Sequence, residues 1–213
     1  MPSSAPLPSR PAAAPVRSRG GALAAVAGAA LLAAACGGED PFAIRATLET
    51  SLDTVVVYPL RGGQSLFPTA LDLFGRSAVR PALRGGVAPN FDIAFDTDAQ
   101  GRVLLYPARL VASPPGGSPR TGFQVTGTAF DALDIAPNSG YRFDSLQVVT
   151  AGQTVIVEAQ GVSTSGLYCA GTSSMHAKLV VDSVARGTGA VHLRVRNNPN
   201  CGFRGLTAGV PKD

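Results

Sequence analysis

The chain has 213 residues, 45% hydrophobic and 15% charged, a balance that excludes both an acidic disordered tail and a charge-rich helical array. With 25 glycines, 17 prolines and no tryptophan, long helices and a Trp-lined ligand platform are disfavoured. The formal charge of +4 does not describe a basic surface: three of the 18 basic residues, Arg10, Arg17 and Arg19, precede Cys36 and no acid does, leaving 15 basic against 14 acidic residues from Cys36 onward. No nucleic-acid partner is expected of so even a balance.

Residues 1–19 are rich in Pro, Ala and Ser, and after Arg19 no charge occurs until Glu39. The apolar run 22–35 would measure about 21 Å as a helix at about 1.5 Å per residue, short of a ~30 Å hydrocarbon core. It reads as a signal helix, cleaved on export and covering residues 1–35, not as a permanent span. The sequence LLAAAC at 31–36, with Leu32 four positions ahead of Cys36, resembles the lipobox of bacterial lipoproteins. That resemblance implies cleavage before Cys36, with diacylglycerol on its thiol and an acyl chain such as palmitate on its amine. With Gly37 after the cysteine, it further implies the outer membrane as destination in a cell that has one. Each buried CH₂ contributes about 0.8 kcal/mol, so several chains hold a protein firmly to the envelope. The alternative is plain secretion after cleavage at Ala33-Ala34-Ala35.

Residues 36–42 read as a lipidated tether. Beyond it the periodicity is two. Ile44, Ala46 and Leu48 alternate with polar residues ahead of the β-branched run 54–58, which suggests a first hairpin. Phe91, Ile93 and Phe95 alternate with Asp92, Ala94 and Asp96, and the turn DTDAQG leads into an apolar run at 103–106, a second hairpin. Residues 61–90 hold Gly and Pro in place of clear strands. They predict one long irregular loop with a short helix at 69–74. SPPGGSPR at 113–120 is a flexible crossover. A strand follows at 123–128, then a hairpin of 145–150 with 154–160 about Ala151-Gly152-Gln153. The last hairpin is 177–184 with 190–196, in which Val191, Leu193 and Val195 face the core and His192, Arg194 and Arg196 face water. The fold class is all-β. Residues 43–213 are expected to form one antiparallel β-sandwich, Ig-like or related, with a subdomain break near 113–120 as the alternative.

With Cys36 assigned to lipid, Cys169 and Cys201 remain as a pair, and in an exported domain such a pair reads as a disulfide. Metal or redox cysteines are usually two to four residues apart, unlike these.

The chemical motifs are weak. Asp96 and Asp98 open a calcium-loop pattern with Gly101 at its sixth position, but Gln100 and Pro107 stand where further oxygen ligands belong, so a hairpin turn is the preferred reading. Ser173 or Ser174 with His176 and Asp182 could be drawn as a nucleophilic triad, though no G-x-S-x-G presents a serine. Cys169, Met175, His176 and His192 are blue-copper residue types in the wrong order. Glu39, Glu49 and Glu158 are the only glutamates and form no glycosidase pair with any Asp. Arg61, Arg76, Arg80 and Arg84 face only Asp72 in the same stretch, a candidate patch for an anionic ligand such as an acidic glycan. Arg outnumbers Lys 16 to 2 in the whole chain, so compositional bias is the preferred explanation of the patch.

No cofactor, metal or catalytic residue is expected. The preferred function is a lipid-anchored, non-catalytic envelope module that binds an envelope protein or glycan through loops at one end. The alternative is an exported hydrolase or metal-dependent enzyme, for which His176 or His192 would have to share a pocket with carboxylates.

Overall fold

Alternating burial along the strands builds two antiparallel sheets that face each other. The computed structural model describes residues 44–62, 66–114, 119–161, 169 and 173–212. The signal-like segment, Cys36 and the tether lie outside the described residues. All elements below belong to the unit Arg45–Asp213.

The strands in chain order are β1 Ser51–Val57, β2 Ala70–Asp72, β3 Ser77–Val79, β4 Ile93–Thr97, β5 Val103–Pro107, β6 Arg120–Thr126, β7 Arg142–Phe143, β8 Gln147–Val149, β9 Thr154–Gln160, β10 Ser174–Val184 and β11 Val191–Asn198. One short helix, α1 Ala108–Ala112, follows β5, and a 3-10 turn spans Phe130–Ala132. The larger sheet runs β1-β11-β10-β9-β6-β7 and the smaller β3-β2-β4-β5-β8. Together they form the expected all-β sandwich.

The core lies between the sheets. Phe123, Val155, Val157, Leu179, Val181, Leu193 and Val195 of the larger sheet meet Leu71, Ile93, Phe95, Val103 and Leu105 of the smaller. In β11 Val191, Leu193 and Val195 are buried while His192, Arg194 and Arg196 are half-buried on the outer face, as the alternation predicts. The β4–β5 and β10–β11 hairpins also form as expected, with Thr97 opposite Val103 and Val184 opposite Val191.

Cys169 and Cys201 are bonded, with Cα atoms 5.4 Å apart. The bond ties the tail after β11 to the segment before β10. Asn198 secures the same tail, its side-chain amide donating to the carbonyls of Phe203 and Gly205. The outer face of the larger sheet is capped by residues 130–136 and 203–206, where Leu133, Ala136 and Leu206 pack on Ile156. Beneath them Lys178, 3% exposed, donates from Nζ to the carbonyls of Phe130 and Leu133 at 2.7 Å each, with the Phe130 ring 4.8 Å away. Desolvation pushes this lysine below its ordinary pKa.

Four local expectations change. Residues 44–49 are not a strand: the N–H groups of Thr47 and Leu48 donate to Asn200 Oδ1, and β1 pairs with β11 instead. Within 61–90 the chain makes the β2–β3 hairpin, so Ala70–Asp72 is a strand where a helix was expected, held by β3 on one side and β4 on the other. Residues 147–149 and 154–160 are not a hairpin. β8 pairs with β5 in the smaller sheet and β9 joins the larger, so 150–153 crosses between layers. Helix α1 was not expected; Ala108 and Ala112, four residues apart, turn its small face onto Ala70, Phe91 and Ala94.

Candidate functional site

Three connections converge at the end of the sandwich where β1 finishes and β11 begins, Val57 lying opposite Val191. They are the β4–β5 turn, the β8–β9 crossover and the β10–β11 turn. Between them lies a cleft of about 440 Å³, lined among others by Thr97, Asp98, Gln100, Ala151, Val184 and Arg186. That volume lies in the range of small-ligand sites.

Each wall is fixed locally. In the β4–β5 turn Asp98 Oδ1 accepts from the N–H groups of Gln100 at 3.0 Å and Arg102 at 2.9 Å, and its Oδ2 stands 2.6 Å from Arg102 Nε. Desolvation pushes Asp98 upward, but these bonds outweigh it and hold the carboxyl below the usual carboxylate range. In the crossover Gly152 N–H donates to Val181 O at 2.8 Å, and Thr150 N–H to Gln153 Oε1. The β10–β11 turn closes by Ala185 N–H to Ala190 O at 2.8 Å and Gly189 N–H to Ala185 O at 3.0 Å. Glycine is required at 189, because φ is 68° and a Cβ would stand 2.6 Å from Pro59 Cγ.

The predicted calcium residues separate. Asp96 is buried on β4, accepts from Thr97 N–H at 2.9 Å and has Oδ2 3.5 Å from Arg61 Nε, whereas Asp98 belongs to the turn and to Arg102. The pattern is a hairpin turn whose first carboxylates are engaged by different arginines. Among the described residues no group of three or more His, Cys, Asp or Glu comes together.

The four arginines separate as well. Arg61 sits beside Asp96 near the cleft, while Arg76 makes a two-pronged pair with Asp53 at 2.9 and 2.7 Å nearer the other end of β1. The Arg76 hydrogen bond holds the Asp53 carboxyl below its ordinary range. Arg80 and Arg84 are exposed on the connection between β3 and β4.

Of the residues drawn as a triad, Ser174, His176 and Asp182 each make other contacts. Ser174 Oγ donates to Glu158 Oε1, His176 Nδ1 lies 3.1 Å from Phe203 O, and Asp182 pairs with Arg194 at 3.0 Å. His176 lies opposite Asn198 and His192 opposite Ser183, so the histidines stand six positions apart along β11, about 20 Å at ~3.3 Å per residue. They cannot share one site. Cys169 is bonded to Cys201 and so is not a copper thiolate.

Sequence reasoning did not single out Arg186 or Gly189. Both lie in ARGTG, which reads only as a turn; nothing local says that two other connections meet it. Compared with known proteins, the chain matches no family model, no curated sequence and no solved structure. Among the described residues no helix is long and apolar enough to cross a membrane.

Proposed function

We propose that this protein is a lipid-anchored extracytoplasmic binding module, tethered through Cys36 and presenting the cleft beside Asp98 and Arg186 to an envelope partner or glycan. The observation that carries the reading is the Cys169–Cys201 bond. A disulfide suits an oxidising compartment, and it uses both cysteines of the folded unit, leaving Cys36 the one thiol for acylation. The architecture is consistent with this role. The chain joins the sandwich at 45–50, next to the Ser51–Asn197 pair, and the cleft is at the Val57–Val191 end. Six positions along β1 separate the two, about 20 Å at ~3.3 Å per residue. The cleft and the start of the folded unit thus lie at opposite ends of the sandwich.

Fractionation of cells carrying Cys36→Ser tests the anchor. The variant is expected in the soluble extracytoplasmic fraction and the parent in membranes, with acyl mass on a chain beginning at Cys36. A Cys36→Ser protein that still sediments with membranes after a high-salt wash refutes the reading.

A further inference from the structure

Residues 80–90, between β3 and β4, form a braced projection beside α1. Asn90 clamps its base, accepting from Ala82 N–H at 2.8 Å and donating to Arg80 O at 3.1 Å. Gly86 N–H reaches Ser113 O, just past α1, at 3.4 Å. Phe91 and the alanines of α1 are buried below. Three large apolar side chains nonetheless face outward: Leu83 is 48%, Val87 53% and Leu110 45% exposed. On the same two segments Arg80 and Arg84 are exposed and Arg109 is half-buried. No acid occurs in residues 73–91 or 99–130, so this flank is basic although the whole unit is nearly neutral.

Its position matters as much as its composition. The projection leaves the smaller sheet after Val79, whose carbonyl accepts from Thr69 N–H, and rejoins it at the Ile93–Pro107 pair. Leu73 marks the same end, its carbonyl accepting from Asn197 Nδ2 at 2.9 Å, beside Ser51 where the chain joins the sandwich. Cys36 precedes Arg45 by nine residues, a reach of about 30 Å when fully extended.

We propose that the 80–90 connection and α1 form a surface that rests on an anionic phospholipid bilayer. Arg80, Arg84 and Arg109 lie at the level of the headgroup phosphates, and Leu83, Val87 and Leu110 enter the boundary with the acyl chains. This rests on the Cys36 anchor only for bringing the surface to the membrane; the lipid contact belongs to the folded unit.

The test uses the full chain with Cys36→Ser, so acylation plays no part, and vesicles of phosphatidylethanolamine with phosphatidylglycerol against vesicles of phosphatidylcholine alone. Because the protein has no tryptophan, Leu83→Trp introduces a single reporter at an exposed position. Its emission is expected to shift to the blue on the anionic vesicles, with Leu110→Trp repeating the result from the helix. Arg186→Trp, in the cleft, is expected not to shift. Arg80→Gln with Arg84→Gln should weaken partitioning of the Leu83→Trp chain roughly twenty-five-fold, at about fivefold per basic residue, and added salt should weaken it further. An unchanged emission at both positions 83 and 110, equal shifts at 83 and 186, or insensitivity to the two arginines each overturns the proposal. Loss of the shift while Cys36→Ser still releases the protein in cells removes this surface and leaves the anchor standing.

Discussion

Replacing Cys201 by Ala removes the one covalent cross-link of the fold, and its cost follows from the loop it closes. Cys169 and Cys201 are 32 positions apart, and for that loop the chain-entropy relation gives about 12 cal/mol/K, or close to 4 kcal/mol at 25 °C. Both residues are part of the core: Cys169 is buried and Cys201 packs against the same cluster, so the substitution also removes packed sulfur. At ~2–4 °C per kcal/mol for a unit of this size, the melting temperature should fall by roughly 8–16 °C. Differential scanning calorimetry of the parent and Cys201→Ala, each with and without reductant, measures it. The reduced parent should approach the variant, and reductant should leave the variant unmoved. Equal melting of parent and variant, or an equal effect of reductant on both, would refute the reasoning.

Asp92 is buried, with Oδ2 accepting from Leu73 N–H at 2.8 Å, and desolvation raises its carboxyl to about 7 against that bond. Between pH ~4 and ~7 the folded state therefore holds a proton the unfolded chain has released, and stability falls as pH rises, by up to about 1.4 kcal/mol per unit. Asp92→Asn should abolish this slope; parallel urea stability curves for parent and variant from pH 4 to 7 would contradict it. Lys178→Met keeps the buried stem but strands the Phe130 and Leu133 carbonyls, and should cost ~2–4 kcal/mol in urea unfolding. A variant as stable as the parent would mean that burying the ammonium costs as much as its bonds return.

The parts of the fold legible in sequence are those whose information is local. Ile93 and Phe95 alternate across a sheet with one face on the core, and Gly101 supplies the positive φ, 74°, of the turn that follows, so the β4–β5 hairpin can be read from a dozen residues. The β10–β11 hairpin is legible for the same reason, and the cysteine pair followed from counting. Residues 44–48 alternate equally well and make no strand; Asn200, some 150 positions away, takes the N–H groups of Thr47 and Leu48. Gln147–Val149 and Thr154–Gln160 both carry strand composition, but alternation does not say whether neighbouring strands share a sheet. Here the crossover places them in different layers. The candidate site was the least legible part. A four-arginine patch dissolves once Asp53 and Asp96 take two of its members, and the cleft is built from three turns, none distinctive alone.

Period-two patterning, the supply of turn glycines and the cysteine count follow from the sequence by itself, and they determined an all-β fold with a disulfide staple. Side-chain alternation fixes which face of each strand is buried, since that depends only on hydrophobicity and the pleat. The strand partners, the crossing of 150–153 between layers and the placing of chain junction and cleft at opposite ends were decided by the tertiary structure alone. Backbone hydrogen bonds carry no residue identity, so a strand's neighbour is chosen by how two whole faces pack, and β1 finds its partner in β11 across 140 residues of chain.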